Sequence, residues 1–99
     1  FYSGVLGLEV VETEPGKLAF QLGETKLVFV DAKGVESFGA EPVYHMAFDI
    51  PRNKLQEALD WMAARVAILP LPDGGRIMNF ANWNAESFYF FDTSGNLLE

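Results

Sequence analysis

Two dipeptides, Pro15-Gly16 and Gly23-Glu24, divide the first third of the chain into short segments. Both dipeptides are typical of tight turns, because proline and glycine favour the backbone angles that such turns need. The segments they separate are rich in apolar residues, and strands are predicted over 8–12, 17–22 and 26–31. Strands this short, joined by turns this tight, favour antiparallel hairpins over any other local arrangement.

The rest of the chain has a single segment with helical periodicity. Leu55, Ala58, Leu59 and Met62 fall at i, i+3, i+4 and i+7. This spacing predicts one apolar helix face, beginning after Pro51 and ending near residue 65. The first seven residues, with glycines at positions 4 and 7, are typical of the last turn of another helix. Further strands are predicted over 43–50, 68–71, 76–80, 87–92 and 97–99.

The strand predicted over 43–50 sorts its side chains onto two faces, since successive residues of a strand point in opposite directions. The odd positions carry His45, the only histidine of the chain, beside the small residue Ala47. That face suits the wall of a cavity. The other face suits packing against a helix, and its residues are Tyr44, Met46, Phe48 and Ile50.

Composition narrows the classes of function. Apolar residues make up 49% of the chain, which excludes intrinsic disorder, and no apolar run approaches the ~20 residues of a membrane span. The absence of cysteine excludes disulfides and thiolate metal sites and suits a cytoplasmic protein. A net charge of −7 without a Lys/Arg cluster argues against nucleic-acid binding. A small molecule or another protein chain is the favoured partner.

Three stretches carry a recognisable pattern in a fixed order. Residues 1–11 read FYSGVLGLEVV, residues 44–49 read YHMAFD and residues 91–99 read FDTSGNLLE. They resemble the FY-x-x-x-LGL, HxAF-x-V and D-P-x-GN-x-x-E segments of the vicinal-oxygen-chelate superfamily, which includes glyoxalase, bleomycin-resistance and extradiol-dioxygenase proteins. The tripeptide at 83–85 is similar to a variant of small bacterial members.

The resemblance implies an α+β fold of paired βαβββ modules that form an open, barrel-like curved sheet. On that pattern residues 1–32 are the C-terminal part of the first module, residues 33–42 are a linker and residues 43–99 are the second module, together one domain. The first strand and most of the helix of the first module are expected upstream of Phe1. A short internal repeat agrees with two modules, because four apolar residues precede both Asp31 and Asp92.

The resemblance also implies metal ligands. His45 matches the ligand on the first strand of the second module, and Glu99 matches the ligand on its last strand. A third ligand, a histidine in many members, is expected before Phe1, and one divalent ion (Fe, Zn, Mn or Ni) is the expected cofactor. Residues 27–30 lack the carboxylate of a four-ligand glyoxalase site. Judged without the resemblance, a lone strand histidine and a glutamate at the chain end are more often ordinary solvated groups.

Four further residues are candidates for the site. Glu86 is a candidate general base, although solvated loop carboxylates are commoner. Trp83, Asn84 and Tyr89 are candidates for substrate binding, and turn formation or core packing explains these three about as well.

The resemblance leads to two hypotheses about function. The first is a divalent-metal-dependent enzyme that acts on a small oxygen-chelating substrate by dioxygenase, lyase or isomerase chemistry. The alternative is a metal-free protein of the bleomycin-resistance type that binds and sequesters a small molecule. By analogy with the family, a cytoplasmic homodimer is expected in either case, without a nucleic-acid or membrane partner.

Overall fold

The computed structural model describes residues 1–31 and 43–99, which belong to two compact units, Phe1–Glu41 and Pro42–Glu99. The predicted linker over 33–42 lies outside the described residues. The described part of the chain contains both strands and an α-helix, so the predicted mixed class is confirmed. Within the same residues, no helix is long and apolar enough to cross a membrane.

The first unit contains a three-stranded antiparallel sheet. Its strands follow the chain order as β1 (Glu9–Glu14), β2 (Lys17–Leu22) and β3 (Thr25–Val30). Both predicted hairpin turns are confirmed, and Gly16 and Gly23 adopt φ angles of 79° and 55°, where a side chain would be strained. A bulge between Val10 and Glu12 shifts the register of β1 against β2.

The opening turn of the chain packs its aromatic side chain on this sheet. The predicted helix end is confirmed as a helical turn, in which the Val5 amide donates to the Phe1 carbonyl at 2.8 Å. The ring of Tyr2 then lies 4.7 Å from that of Phe29 and 5.6 Å from that of Phe20, measured between centroids. Phe20 is buried, so this aromatic cluster anchors the turn to β2 and β3.

Charged side chains link β1 to β2. Lys17 Nζ lies 3.1 Å from Glu12 Oε1 and 3.5 Å from a carboxylate oxygen of Glu14. The hydrogen bond from Lys17, helped by its charge, lowers the pKa of Glu12, and the same contact raises the pKa of Lys17. Whatever stability Glu12 contributes is present above its unfolded pKa and is lost as the pH falls through its folded pKa. Because these groups are exposed, that contribution is small.

The main sheet of the second unit is built from segments far apart in the chain. The elements of this unit are β4 (His45–Met46), α1 (Leu55–Ala63), β5 (Met78–Phe80), β6 (Ala85–Ser87), β7 (Phe90–Phe91) and β8 (Leu97–Leu98). β8 lies between β4, with which it pairs in parallel, and β7, with which it pairs antiparallel, while β5 and β6 form a separate hairpin. The helix face predicted from periodicity is confirmed, since Leu59 and Met62 are buried.

The strand predicted over 43–50 is much shorter than expected. Only His45–Met46 pairs as a strand, because the partner strand β8 is itself two residues long. Met46 and Phe48 are half-buried as predicted, but Tyr44 and Ile50 are 62% and 44% exposed and do not join the core.

Two other strand predictions are wrong. Residues 68–71 form no strand, because Pro70 has no N–H to donate. The Leu69 amide does donate to the Tyr89 carbonyl at 2.8 Å, but Tyr89 is not itself in a strand. The strand predicted over 87–92 is divided into β6 and β7, which pair with different partners. The change of partner takes place at Phe88 and Tyr89.

A buried hydrogen-bond network holds β4 against β8. Asp92 and Asn96, 8% and 9% exposed, close the turn between β7 and β8. The Asn96 amide nitrogen Nδ2 donates to Asp92 Oδ2 at 2.8 Å, and the Asn96 backbone donates to Asp92 Oδ1 at 2.9 Å. Asn96 Oδ1 accepts the backbone N–H of Tyr44 at 2.9 Å. We call these three residues the Asn96 clip.

We predict that Asn96→Ala lowers the free energy of unfolding by about 1–3 kcal/mol, because it removes the side-chain hydrogen bonds that Asn96 makes with the Tyr44 N–H and with Asp92 Oδ2. Urea denaturation of the purified protein measures the change. Asn53→Ala, at an exposed position, is the matched control and should alter stability by less than about 0.5 kcal/mol. Equal effects of the two substitutions would show that the clip adds nothing to stability.

Candidate functional site

The parallel pairing of β4 with β8 places His45 and Glu99 at the same end of the sheet. The backbone N–H of Glu99 donates to the Met46 carbonyl, and the Phe48 N–H donates to the Glu99 carbonyl, both at 2.9 Å. Glu99 is therefore held on both sides by the segment that carries His45, although 54 residues separate the two along the chain.

The side chains of these two residues are in direct contact. His45 Nε2 lies 2.9 Å from Glu99 Oε2, a distance at which the ring N–H donates to the carboxylate. The two differ in accessibility, since the His45 side chain is 53% exposed and that of Glu99 is 20% exposed. The structure thus brings together the two residues that the sequence nominated as metal ligands.

Tyr89, the residue before β7, completes this cluster. Phe90 lies opposite Leu98 in the antiparallel ladder, so the preceding Tyr89 lies opposite Glu99. Its hydroxyl donates to Glu99 Oε1 at 3.1 Å, and its ring centroid is 6.2 Å from that of His45.

Ser87 belongs to the same cluster and was missed by the sequence reasoning. Its hydroxyl donates to the hydroxyl oxygen of Tyr89 at 3.2 Å. The signal that would have found it is its position two residues before Tyr89, which places both side chains on one face of an extended segment. The intervening Phe88 is buried on the other face.

The remaining candidates form a separate group around the turn between β5 and β6. Trp83 is 76% exposed, and its ring stacks on that of Phe80 with centroids 5.3 Å apart. Asn84 adopts a left-handed conformation with φ of 49°, and its Oδ1 accepts a hydrogen bond from Arg52 at 2.9 Å. Glu86 is exposed on β6. Residues 79–83 line an open cleft of about 290 Å³ beside the ring of Trp83.

The contact between Arg52 and Asn84 was also missed. It joins residues 32 positions apart, and no local pattern in either segment indicates it.

The His45 cluster offers two kinds of donor atom to a metal ion. An imidazole nitrogen and a carboxylate oxygen facing each other suit Fe, Mn, Ni or Zn, and the frequent three-residue form of such sites adds a second histidine. Across residues 1–31 and 43–99, no group of three or more His, Cys, Asp or Glu side chains is placed to hold an ion. His45 and Glu99 are therefore two candidate donors, one fewer than the three-residue form has.

Comparison with known protein families gives a match over the whole sequence. The sequence profile described as "Glyoxalase/Bleomycin resistance protein/Dioxygenase superfamily" matches residues 1–99. No curated protein sequence matches the chain.

Solved structures similar to this chain have the same fold. A lactoylglutathione lyase from Agrobacterium tumefaciens is 23% identical with a TM-score of 0.69, and the alignment covers 99% of this chain and 77% of that one. An integron cassette protein from the Halifax Harbour sewage outfall is 18% identical with a TM-score of 0.77, covering 99% and 79%. A variant of the fosfomycin resistance protein FosX from Listeria monocytogenes, complexed with Mn(II) and 1S,2S-dihydroxypropylphosphonic acid, is 17% identical with a TM-score of 0.64, covering 99% and 72%.

The left-handed backbone of Asn84 leads to a test of whether this residue serves the turn. Asn84→Gly and Asn84→Ala both remove the bond to Arg52, but only alanine is strained at positive φ. We expect Asn84→Ala to lower the free energy of unfolding by about 1 kcal/mol more than Asn84→Gly does. Thermal and urea denaturation of both variants measure the difference. Equal losses would show that the backbone conformation is not what asparagine supplies here.

Proposed function

This chain belongs to the Glyoxalase/Bleomycin resistance protein/Dioxygenase superfamily, and we propose on that basis that it is a divalent-metal-dependent enzyme acting on a small oxygen-chelating substrate. The reaction class within the proposal is dioxygenase, lyase or isomerase chemistry. The observation that carries the proposal is the 2.9 Å contact between His45 Nε2 and Glu99 Oε2. The imidazole nitrogen of His45 and the carboxylate oxygen of Glu99 face each other, as two ligands of one ion must.

In the proposed site His45 and Glu99 supply two of the protein ligands. A divalent ion bound there would act as a Lewis acid that polarises the substrate oxygens. Mn(II) is a suitable first ion for testing, because it is bound in the FosX variant that shares this fold. Fe, Zn and Ni accept the same donors.

The unequal exposure of the two ligands supports a site that substrate can reach. The His45 imidazole is about half exposed and faces solvent, whereas the Glu99 carboxylate is more enclosed and hydrogen-bonded to Tyr89. Glu99 is therefore the fixed member of the pair, and the substrate approaches from the side of His45. The exposed ring of Trp83, with Asn84 beside it, is proposed as a more distant contact for the substrate, and Glu86 as a candidate base.

The proposal includes a cytoplasmic homodimer that has neither a nucleic-acid nor a membrane partner. A charge of −7 and the absence of cysteine support this location and partner class. The dimer follows from analogy with the family.

A metal-free binding protein of the bleomycin-resistance type is the second candidate function. It is favoured by the absence of a third ligand among residues 1–31 and 43–99 and by the way His45 and Glu99 satisfy each other. In such a protein the pair would be a hydrogen-bonded feature of the pocket wall.

Metal content separates the two candidates. We expect the intact purified protein to hold about one equivalent of divalent metal, measured by elemental analysis, and His45→Ala to lose it. Glu99→Gln should weaken metal binding at least about tenfold, since loss of a mere supporting group near a metal already costs roughly 10–100-fold. Glu57→Gln is the matched control, because Glu57 is an exposed helix residue paired with Lys54.

Other outcomes have definite meanings. A metal-free protein that still binds a small ligand would refute the enzyme proposal and support sequestration. Loss of the folded circular-dichroism spectrum in Glu99→Gln would make Glu99 structural, because its carboxylate also anchors Tyr89.

A further inference from the structure

We propose that Tyr89, supported by Ser87, is a positioning residue that holds one oxygen of the Glu99 carboxylate so that the other faces His45. This inference deepens the proposed function and rests on it. It assigns Tyr89 a task different from the substrate contact expected from the sequence. The juxtaposition that carries it is the hydrogen-bonded run of side chains Ser87, Tyr89, Glu99 and His45.

The hydrogen bonds of this run have a single consistent direction. An ionised carboxylate only accepts hydrogen bonds, so the Tyr89 hydroxyl must donate to Glu99 Oε1 at 3.1 Å. The hydroxyl oxygen of Tyr89 remains free to accept, and Ser87 donates to it at 3.2 Å. Each bond in such a chain polarises the next and strengthens it. Both hydroxyl hydrogens are thereby oriented toward the carboxylate.

Glu99 needs such support because His45 alone cannot hold it. The His45 side chain is about half exposed, and a lone hydrogen bond in that setting leaves the carboxylate free to rotate about its terminal bond. Tyr89 is a stiff support, because a tyrosine has two side-chain torsions and its neighbours Phe88 and Phe90 are buried on the opposite face at 7% and 5% exposure. The core therefore anchors the backbone that carries the Tyr89 ring.

The two carboxylate oxygens have different roles as a result. Oε1 is committed to Tyr89, and Oε2 lies 2.9 Å from His45 Nε2. A metal ion bound by this pair would contact Oε2, while Oε1 stays hydrogen-bonded to Tyr89. Outer groups that orient a ligand in this way typically contribute about 10–100-fold to metal affinity.

The test measures Mn²⁺ binding to the intact protein by the loss of the free-ion EPR signal on titration. We expect Tyr89→Phe, which removes one oxygen and keeps the ring, to weaken Mn²⁺ binding by about 10–100-fold while the melting temperature of the metal-free protein stays near that of the wild type. Tyr44→Phe is the matched control, since this tyrosine is 62% exposed beside His45, and its affinity should equal that of the wild type.

Ser87 supplies a second, independent variant. Ser87→Ala should weaken Mn²⁺ binding less than Tyr89→Phe, and the double variant should match Tyr89→Phe alone, because Ser87 acts only through the tyrosine. Additive losses in the double variant would overturn the ordered chain. Wild-type affinity in Tyr89→Phe would overturn the positioning role while leaving the metal proposal intact.

Crystal structures of the metal-free wild type and of Tyr89→Phe decide the inference even where no Mn²⁺ binds. A wild-type protein without affinity for Mn²⁺ would count against the proposed function. In that case, the positioning role is supported if the Glu99 carboxylate contacts His45 in the wild type but not in Tyr89→Phe. It falls when the carboxylate keeps its place without the tyrosine hydroxyl.

Discussion

The parallel pairing of β4 with β8 is the interaction on which the second unit depends. It joins segments more than fifty residues apart, so its few backbone hydrogen bonds must offset a large loss of chain entropy. Two-residue strands are too short to do this alone. The Asn96 clip adds a buried side-chain network that captures the Tyr44 N–H at the start of β4. A turn residue thereby sets the register of the strand that carries His45.

The same sheet separates packing from chemistry by its two faces. Leu98 is fully buried, with Phe88 and Phe90 also on the core side. Glu99 and Tyr89, next to these residues in sequence, point the other way and meet there. Because adjacent residues point in opposite directions, the core that fixes the backbone also fixes the site. The polar cluster is more enclosed at Glu99 and open to solvent at His45.

The site face is stabilised by contacts within the protein itself. The face that carries His45 and Glu99 is held by backbone pairing, by the Asn96 clip and by the apolar core, none of which needs an ion. In this chain the described residues provide two donors and a hydroxyl chain that orders one of them.

The sequence by itself determined the two hairpin turns and the apolar face of the helix, and it pointed to His45 and Glu99 as candidate ligands. Pro15-Gly16 and Gly23-Glu24 specify turns through backbone angles, and the spacing from Leu55 to Met62 specifies a helix face, so both could be predicted without knowing any partner. The pair was nominated by resemblance, although alternation independently placed His45 opposite the helix-facing residues.

Tertiary structure alone decided how far strands extend and which side chains meet. Residues 43–50 and 87–92 alternate along their length, yet each is a strand only where a partner supplies hydrogen bonds, as β8 does for His45–Met46. Tyr89 was a candidate for substrate binding from the sequence, but its bond to Glu99 depends on the β7–β8 register. Periodicity records which face a residue occupies, whereas contacts between distant segments depend on register, which no local pattern contains.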